Sequence, residues 1–375
     1  MLIQVVLSVL LAHSIASPVM PTGPEPVPRS MVEPCPLEIL PPGFHTIREA
    51  RSDRGDSDIL VIVASGLETP LAAELAQYAT DLEADGYNVS THVMTGGTPS
   101  SLRSFLQGQT GRAGAILVGN LPTPWYEMSD WGQEEFPMDL YLMDLDGTWG
   151  DGDGDGLLDS HSGDRGPEIW IGRIDPHAME YGNEILLLKD YFNRNHLYRT
   201  GSLAVPARAV AFNDDDWSGY GSAGLDMIYG SVDVYNSPST TTADYYRDRL
   251  AYGYEFVHLM SHSSPWGHTF KVPSGYSGTV MAPEIAEINP QTVFIQLFAC
   301  SNARWTEPNC LGNWYLFGED YGLLAIGSTK TGALLDFEIF YGPIGSGSSP
   351  GEAFVTWFDQ VGIYDPAWHY GCVLL

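Results

Sequence analysis

Basic side chains are scarce in this chain. Its 375 residues carry 17 Lys and Arg against 47 Asp and Glu, which gives a formal net charge of −30 at pH 7. Nucleic acids and anionic membrane surfaces are bound through basic patches, so this balance argues against both as partners. Basic peptides and cations match the negative charge of this chain better and are the expected partners. The sequence also has no P-loop and no glycine-rich dinucleotide fingerprint.

Long apolar runs are scarce as well. Residues 1–17 hold an apolar core followed by small residues, with Ser14 and Ala16 suited to the positions before a cleavage site. This pattern predicts a secretory signal peptide, since the run is too short to cross a bilayer, although it has no basic start. The chain is therefore expected to be secreted or exposed at the cell surface, without a membrane span. Residues 18–57 are Pro-rich with mixed charge, which predicts a linker or short pro-segment.

Cysteine is the third scarce residue type, with four in the chain. In a secreted protein four cysteines permit three disulfide pairings, and the sequence does not choose among them. Cys35, Cys310 and Cys372 are the candidates for bridging if Cys300 has a chemical role. A bridge between Cys300 and Cys310 would instead make both structural.

The chain has enough apolar residues for a substantial core, at 44% of the total. From residue 58 onward it alternates short apolar runs with stretches of helical spacing. Residues 58–65 read as a strand, and Leu71, Leu75, Tyr78 and Leu82 then recur at the spacing of one helix face. Further strands are predicted at 114–120, 168–174, 207–213 and 323–329, and helical stretches at 179–198, 219–230, 240–252 and 352–361.

This alternation predicts an α/β protein whose mostly parallel sheets are covered by helices on both faces, a three-layer α/β/α arrangement. We expect two subdomains, an N-terminal one at 58–200 and a C-terminal one at 201–375.

Two apolar runs in the second subdomain each end in a reactive side chain. Residues 254–262 (YEFVHLMSH) end at His262, and residues 293–300 (VFIQLFAC) end at Cys300. Both runs read as central strands of a parallel sheet, so their ends should lie side by side at the edge where ligands bind. An imidazole beside a thiol lowers the thiol pKa and populates the attacking thiolate. The pair is a candidate base and nucleophile.

Three alternatives to this interpretation remain open. Cys300 and His262 could be buried structural residues, because cysteine is among the most buried residue types. His268 could act as the base in place of His262. A zinc hydrolase built on His258, His262 and His268 would need three converging ligands, but their spacing is not that of a zinc motif on a helix.

Five ordered segments of the chain resemble the gingipain-like cysteine peptidases, a family with a caspase-like fold. They are SHSSPWGH (261–268), FIQLFACSNARW (294–305), GLLAIGSTKTGAL (322–334), ILVGNLPTP (116–124) and PEIWIGRID (167–175). The resemblance covers about residues 58 to 375. It implies a cysteine endopeptidase that acts on protein or peptide substrates.

The resemblance also implies roles for particular residues. Cys300 would be the nucleophile and His262 the catalytic histidine, with the backbone N–H groups of Ser263 and Cys300 forming the oxyanion hole. Glu168 aligns with the acid that orients the histidine. Relatives commonly cleave after a basic residue bound by an acid, and Asp175 is the candidate for that acid. Ser263 replaces the glycine usual in the family, which would be unfavourable if the position needed a positive φ.

An acidic insertion at 143–164 is the second candidate site. It alternates aspartates with glycines, and its carboxylates could converge on one hard cation, as Ca²⁺ requires six to eight oxygen ligands. The expected ligands are Asp144, Asp146, Asp151, Asp153, Asp155 and Asp159. The alternative is a solvated acidic loop. Asp214, Asp215 and Asp216 form a second acidic stretch, better read as a turn than as a cation site.

Two further expectations concern the whole protein. The competing function is a catalytically inactive, calcium-stabilised surface or adhesion module of the same fold. The last segment, residues 368–375, resembles the final strand of the family's catalytic unit but stops short of the Gly-Asp-Pro that usually follows. We therefore expect a longer natural protein that contains at least the missing turn.

Overall fold

The computed structural model describes residues 26–50, 57–109 and 111–375. The predicted signal peptide at 1–17 lies outside the described residues. The predicted linker at 18–57 is described in part.

Strands and helices alternate through the first half of the chain. Its strands are β1 (Gly43–Arg48), β2 (Ser57–Ala64), β3 (Tyr87–Thr95), β4 (Arg112–Val118), β5 (Trp125–Met128), β6 (Glu134–Pro137), β7 (Thr148–Gly150), β8 (Ser160–Ser162) and β9 (Trp170–Ile174). Its helices are α1 (Ala72–Ala84), α2 (Pro99–Gln107), α3 (Leu140–Met143) and α4 (Glu184–Arg199).

The second half continues the alternation. Its strands are β10 (Ala209–Asn213), β11 (Val232–Tyr235), β12 (Phe256–Met260), β13 (His262–Ser264), β14 (Gly267–Val272), β15 (Gly275–Met281), β16 (Phe294–Phe298), β17 (Leu324–Ser328) and β18 (Cys372–Leu374). Its helices are α5 (Ala243–Leu250), α6 (Ala282–Ile288), α7 (Leu311–Leu316), α8 (Phe337–Gly345), α9 (Pro350–Gln360) and α10 (Pro366–His369). Single 3₁₀ turns occur at Arg29–Met31, Pro36–Ile39, Asp215–Tyr220, Leu225–Met227 and Gly362–Tyr364.

One sheet of eleven strands runs through the described part of the chain, in the order β1-β3-β2-β4-β9-β18-β17-β16-β12-β10-β11. The strands β3, β2, β4 and β9 are parallel to one another, and so are β17, β16, β12, β10 and β11, whereas the edge strand β1 is antiparallel to β3. Strand β18 lies between the two parallel sets and is antiparallel to β17. The predicted α/β class with a mostly parallel sheet is confirmed, with both halves sharing one sheet.

The central strands are buried along their length, which explains their continuous apolar sequences. Every residue of β12 is buried, and four of the five in β16 are buried. Helix α9 shows how the covering layer is fixed. Ser349 and Glu352 form a capping box at its start, and Phe354, Trp357 and Phe358 are buried on its inner face, as the spacing predicts.

Some elements differ from the sequence-based expectations. Strand β3 was not predicted, although six of its nine residues are buried. The stretch expected to be helical at 219–230 forms two short 3₁₀ turns, because Gly221 and Gly224 adopt positive φ values of 59° and 82° there. Among the described residues, no helix is both long and apolar enough to span a membrane.

The described part of the Pro-rich segment is packed, which corrects its interpretation as a linker. Leu37 is buried, and the Cys35 thiol donates to the Asn120 carbonyl at 3.1 Å. The Val27 N–H donates to a Glu307 carboxylate oxygen at 2.8 Å. Proline-rich sequence does not prevent packing, since an extended chain can satisfy its polar groups with side chains of the surface it crosses.

Candidate functional site

The candidate nucleophile and base follow two adjacent parallel strands. Strands β12 and β16 are paired, with Met260 opposite Phe298, and the Ser261 N–H continues the ladder by donating to the Phe298 carbonyl at 3.2 Å. The same register, continued two residues further, brings His262 opposite Cys300. The expectation that these strand ends lie side by side is confirmed.

The end of a third strand, β17, lies beside the ends of β12 and β16, so that three strand ends form a row. Strand β17 pairs with β16, with Gln296 opposite Ile326, and continuing that register brings Lys330 opposite Cys300. The Ser301 N–H donates to the Lys330 carbonyl at 2.9 Å, so the two chains remain in contact past the strand ends. His262, Cys300 and Lys330 therefore occupy neighbouring positions at the carboxyl edge of the sheet, where ligands bind in open α/β folds.

Cys300 sits at a sharp change of chain direction. Ser301, directly after it, adopts a φ of 56°, an unfavourable conformation for a residue with a side chain, and such strain is concentrated at functional sites. Cys300 is half-buried, and burial raises the pKa of its thiol. A hydrogen bond from the Gly332 backbone and the charge of Lys330 lower that pKa, whereas Glu134 raises it. Ionisation of the Cys300 thiol therefore depends on positive charge close to it.

His262 is held by an acid from the neighbouring strand. Its Nε2 lies 2.9 Å from Oδ2 of Asp216, a residue of the 3₁₀ turn after β10. The ring of Trp217 packs 4.8 Å from the imidazole and 5.3 Å from Phe298, on the strand that leads to the thiol. Lys271 also binds Asp216 at 2.6 Å, and this hydrogen bond is the main reason that the Asp216 pKa is lowered. Asp216 therefore stays ionised and fixes the imidazole through Nε2.

Ser263 is not in the left-handed region that would require glycine, because the described non-glycine residues with positive φ do not include it. The serine in place of the family glycine thus adopts an ordinary extended backbone in β13. Its hydroxyl donates to the Cys300 carbonyl, which ties the two candidate segments together. Among the described residues, the Cys300 N–H has no backbone acceptor.

Glu168 does not orient the histidine, which corrects that assignment. Its carboxylate accepts from the Leu145 N–H at 2.5 Å and lies beside Asp144 and Asp146 in the acidic insertion. Burial and these two aspartates raise its pKa, in that order. The acid that contacts His262 is Asp216. The available sequence signal was that Asp216 follows a predicted strand, and the order of strands then places it beside the histidine strand.

Asp175 lies in a cavity of about 200 Å³ between the end of β9 and the N-terminal segment. It is 6% exposed, it accepts from the His177 N–H at 2.9 Å, and burial raises its pKa. The cavity is also lined by Glu33 and Glu38 of the N-terminal segment and by Trp305, five residues after Cys300. The predicted specificity acid thus lies in a cavity lined by the segment, which also brings Arg29 to 3.5 Å from Glu38.

The six predicted metal ligands do not form one cluster. Carboxylate oxygens converge in three groups, each within 4.8 Å: Asp151 with Asp153 and Asp155, Asp144 with Asp146 and Glu168, and Asp153 with Asp159 and Glu127. Glu127, which the sequence interpretation missed, comes from β5 of another sheet. Its pKa is raised first by burial and then by Asp155 and Asp153. A bound cation would relieve this repulsion.

Both carboxylate oxygens of Asp144 already have hydrogen-bond partners within the protein. Asp144 is fully buried, and its two oxygens bind the Gly147 N–H at 2.7 Å and the His161 ring at 2.5 Å. His161 in turn contacts the Tyr370 hydroxyl at 2.7 Å. These bonds anchor the insertion to the body of the protein, so Asp144 is better described as a structural acid than as a ligand. The carboxylates that remain available to bind Ca²⁺ are those of three exposed residues, Asp151, Asp153 and Asp155.

The other histidines and cysteines do not form competing sites. His268 is fully buried, both its ring nitrogens lack partners, and burial lowers its pKa to about 3, so it cannot serve as a solvent-accessible base. His258 is buried and binds the Tyr341 hydroxyl at 2.7 Å, away from any zinc cluster with His262. All four cysteines are free, and Cys300 alone among them is not buried. A bridge between Cys300 and Cys310 is absent from the structure.

Neither the protein-family models nor the curated proteins searched with this chain give a match.

Proposed function

We propose that this protein is a secreted or cell-surface cysteine endopeptidase of the gingipain-like type, with a caspase-like arrangement of its α/β fold. One observation carries the proposal: His262, fixed by Asp216, and Cys300 follow neighbouring parallel strands at the edge of the sheet where ligands bind. A thiol, an imidazole and an orienting acid in this order match the general requirements of an activated nucleophile.

In the proposed mechanism, the Cys300 thiolate attacks the carbonyl carbon of a peptide bond. A bond from sulfur to carbon forms, and the N–H groups of Ser263 and Cys300 bind the oxyanion. The C–N bond then breaks as His262 gives its proton to the leaving amine. Water, deprotonated by His262, next attacks the thioester and releases the acid product and the thiol. Asp216 keeps the imidazole in one orientation through both steps.

Cleavage after basic residues remains part of the proposal. It is supported by Asp175 and Glu33 in this cavity, whose charge suits an amine or a guanidinium, and Glu38 there already pairs with the Arg29 guanidinium at 3.5 Å. Cleavage of a peptide library is the measurement. Acceptance of only acidic or apolar residues before the scissile bond would remove this specificity from the proposal.

The decisive variant is Cys300→Ala, assayed with casein and with the peptide library. We expect peptidase activity to disappear, because no other described thiol is accessible, while thermal unfolding stays close to that of the wild type. Cys310→Ala is the matched control, since it removes a fully buried thiol and should retain activity. Hydrolysis by the Cys300→Ala variant would contradict the mechanism.

The competing function, an inactive calcium-stabilised surface module, is favoured by one observation, the burial that raises the Cys300 pKa. The two functions differ in thiol chemistry. Cys300 of a peptidase should be alkylated selectively near neutral pH in the native protein, and an inert structural thiol should not.

We also propose that the acidic insertion binds Ca²⁺ through Asp151, Asp153 and Asp155, with Asp159 and Glu127 at its border. The support is the convergence of carboxylates from two parts of the chain. Such a site would be structural, because it holds an exposed loop against β5.

A further inference from the structure

Lys330 is a buried cation that the proposed mechanism does not use. It is 1% exposed, and its ammonium group donates to the carbonyls of Thr331 and, at 2.7 Å, Ala367. The rings of Trp131 and Phe136 lie 4.9 Å and 5.6 Å from its nitrogen. A lysine is rarely buried in this way unless it is paired or has a chemical role.

The position of Lys330 is set by the same register that defines the candidate site. It follows β17 at the point opposite Cys300, just as His262 follows β12 on the other side of Cys300. The thiol therefore lies between two nitrogen bases in one row across three strands. The loop that begins at Lys330 also contains Gly332, whose backbone hydrogen bonds to Cys300.

Glu134 places a negative charge beside the Lys330 ammonium group. Its carboxylate lies 3.5 Å from the Lys330 nitrogen and accepts from the Thr331 N–H at 3.0 Å. It comes from β6, so it joins the β5–β6 hairpin to the loop after β17.

Resting on the proposed function, we propose that Lys330 is a positioning residue that supplies the fixed positive charge stabilising the Cys300 thiolate, and that Glu134 moderates it. No described hydrogen bond joins the ammonium group to the thiol, so it acts through its charge and through the loop that carries Gly332. Burial also lowers the pKa of Lys330, which the charge of Glu134 counteracts, and a charge in a low dielectric acts over a longer range than one in water.

The charged and titratable groups around the thiol come from several elements. His262, bound to Asp216, follows the strand on one side of Cys300, and Lys330, paired with Glu134, follows the strand on the other side. Cys372 and His369 lie near Lys330 and interact electrostatically with it.

The test is the rate of iodoacetamide alkylation at Cys300 from pH 5 to pH 10, assigned to this residue by mass spectrometry. In Lys330→Met we expect the midpoint of the profile to rise by about one pH unit, the effect of losing one nearby opposite charge. The thiolate fraction near neutral pH then falls about tenfold. Because a more basic thiolate is about threefold more nucleophilic, the observed rate should fall only about threefold.

Glu134→Gln is the second variant, and it should move the midpoint in the opposite direction. The glutamine can keep the hydrogen bond to Thr331 and removes only the charge. A loss of structure would not produce opposite shifts in two variants, and thermal unfolding of each variant checks its fold. The same shift is expected in a His262→Ala background, which separates Lys330 from the imidazole.

Unchanged midpoints in both variants would overturn the proposal, and so would shifts of the same sign. These outcomes are distinct from failure of the proposed function. A protein that cleaves no peptide but shows the opposite shifts would keep the Lys330 inference and lose the peptidase. If the protein cleaves peptides but the midpoints do not shift, the proposed function stands and the proposed role of Lys330 is wrong.

Discussion

Arg304, four residues after the candidate nucleophile, holds three parts of the protein together. It is 1% exposed and forms an ion pair with Glu307 at 2.8 Å, itself fully buried. Its other nitrogens donate to the carbonyls of Glu135, Thr329 and Val27. We expect Arg304→Met to destabilise the fold more than any surface substitution, because it leaves the Glu307 charge buried without its partner.

The size of this effect follows from the burial of both partners. Removing one member of a buried ion pair typically costs about 3–5 kcal/mol, whereas an exposed pair contributes about 1 kcal/mol or less. The three carbonyls that lose a donor add to the cost where water cannot replace it. We therefore expect a loss of about 4 kcal/mol, a large part of the stability of an ordinary domain.

Urea unfolding followed by tryptophan fluorescence measures this loss. The control is the double variant Arg304→Met with Glu307→Met, in which no charge is left unpaired. It should be more stable than Arg304→Met alone, since apolar replacement of a whole buried pair is often close to neutral. A loss below about 1 kcal/mol in the single variant, or no recovery in the double one, would refute the reasoning.

Two other predictions concern pH and metal. Burial raises the pKa of Asp214 to about 6, above its unfolded value of about 3.9, so its stabilising contribution is present below pH 4 and is lost as the pH rises towards 6. The stability of the wild type relative to Asp214→Asn should therefore fall by up to about 3 kcal/mol between pH 4 and pH 7 in urea unfolding, and a constant difference would contradict the assignment. Chelation with EGTA should lower the melting temperature, and added Ca²⁺ should restore it, because an ion that binds only the folded loop stabilises it by mass action. Asp153→Asn should weaken this response, and an unchanged melting curve on chelation would leave the insertion as solvated surface.

Much of the fold could be predicted from the sequence, because buried parallel strands have continuous apolar sequences. The runs ending at His262 and Cys300 are such strands, and they are paired in the structure. Strand β3 was missed because polar residues interrupt its sequence, although Ser90 and Thr91 are buried there. The β13–β14–β15 sheet was also missed, since β12 ends at Met260 and His262 already begins a short strand of this second sheet.

The residues around the candidate nucleophile were harder to predict than the strands that carry it and His262. Asp216 and Lys330 lie at the site because of the order of the strands in the sheet, and the sequence alone does not give that order. Asp216 follows β10 and Lys330 follows β17, on opposite sides of the two strands that carry His262 and Cys300. Once the order of strands is known, both residues follow from the rule that parallel strands end at one edge. The family resemblance instead pointed to Glu168, whose carboxylate lies beside Asp144 and Asp146 of the acidic insertion.

Burial of the thiol is compatible with the proposed chemistry. Desolvation disfavours an isolated thiolate, which is why the pKa of Cys300 is raised. The same low dielectric strengthens the attraction between a thiolate and an imidazolium, which offsets part of the desolvation cost when the geometry is fixed. Asp216 holds the imidazole at 2.9 Å, and in our proposal the Lys330 charge stabilises the thiolate from the neighbouring strand end. Proton transfer from Cys300 to His262 then produces the proposed nucleophile, which is the form that the alkylation assay detects.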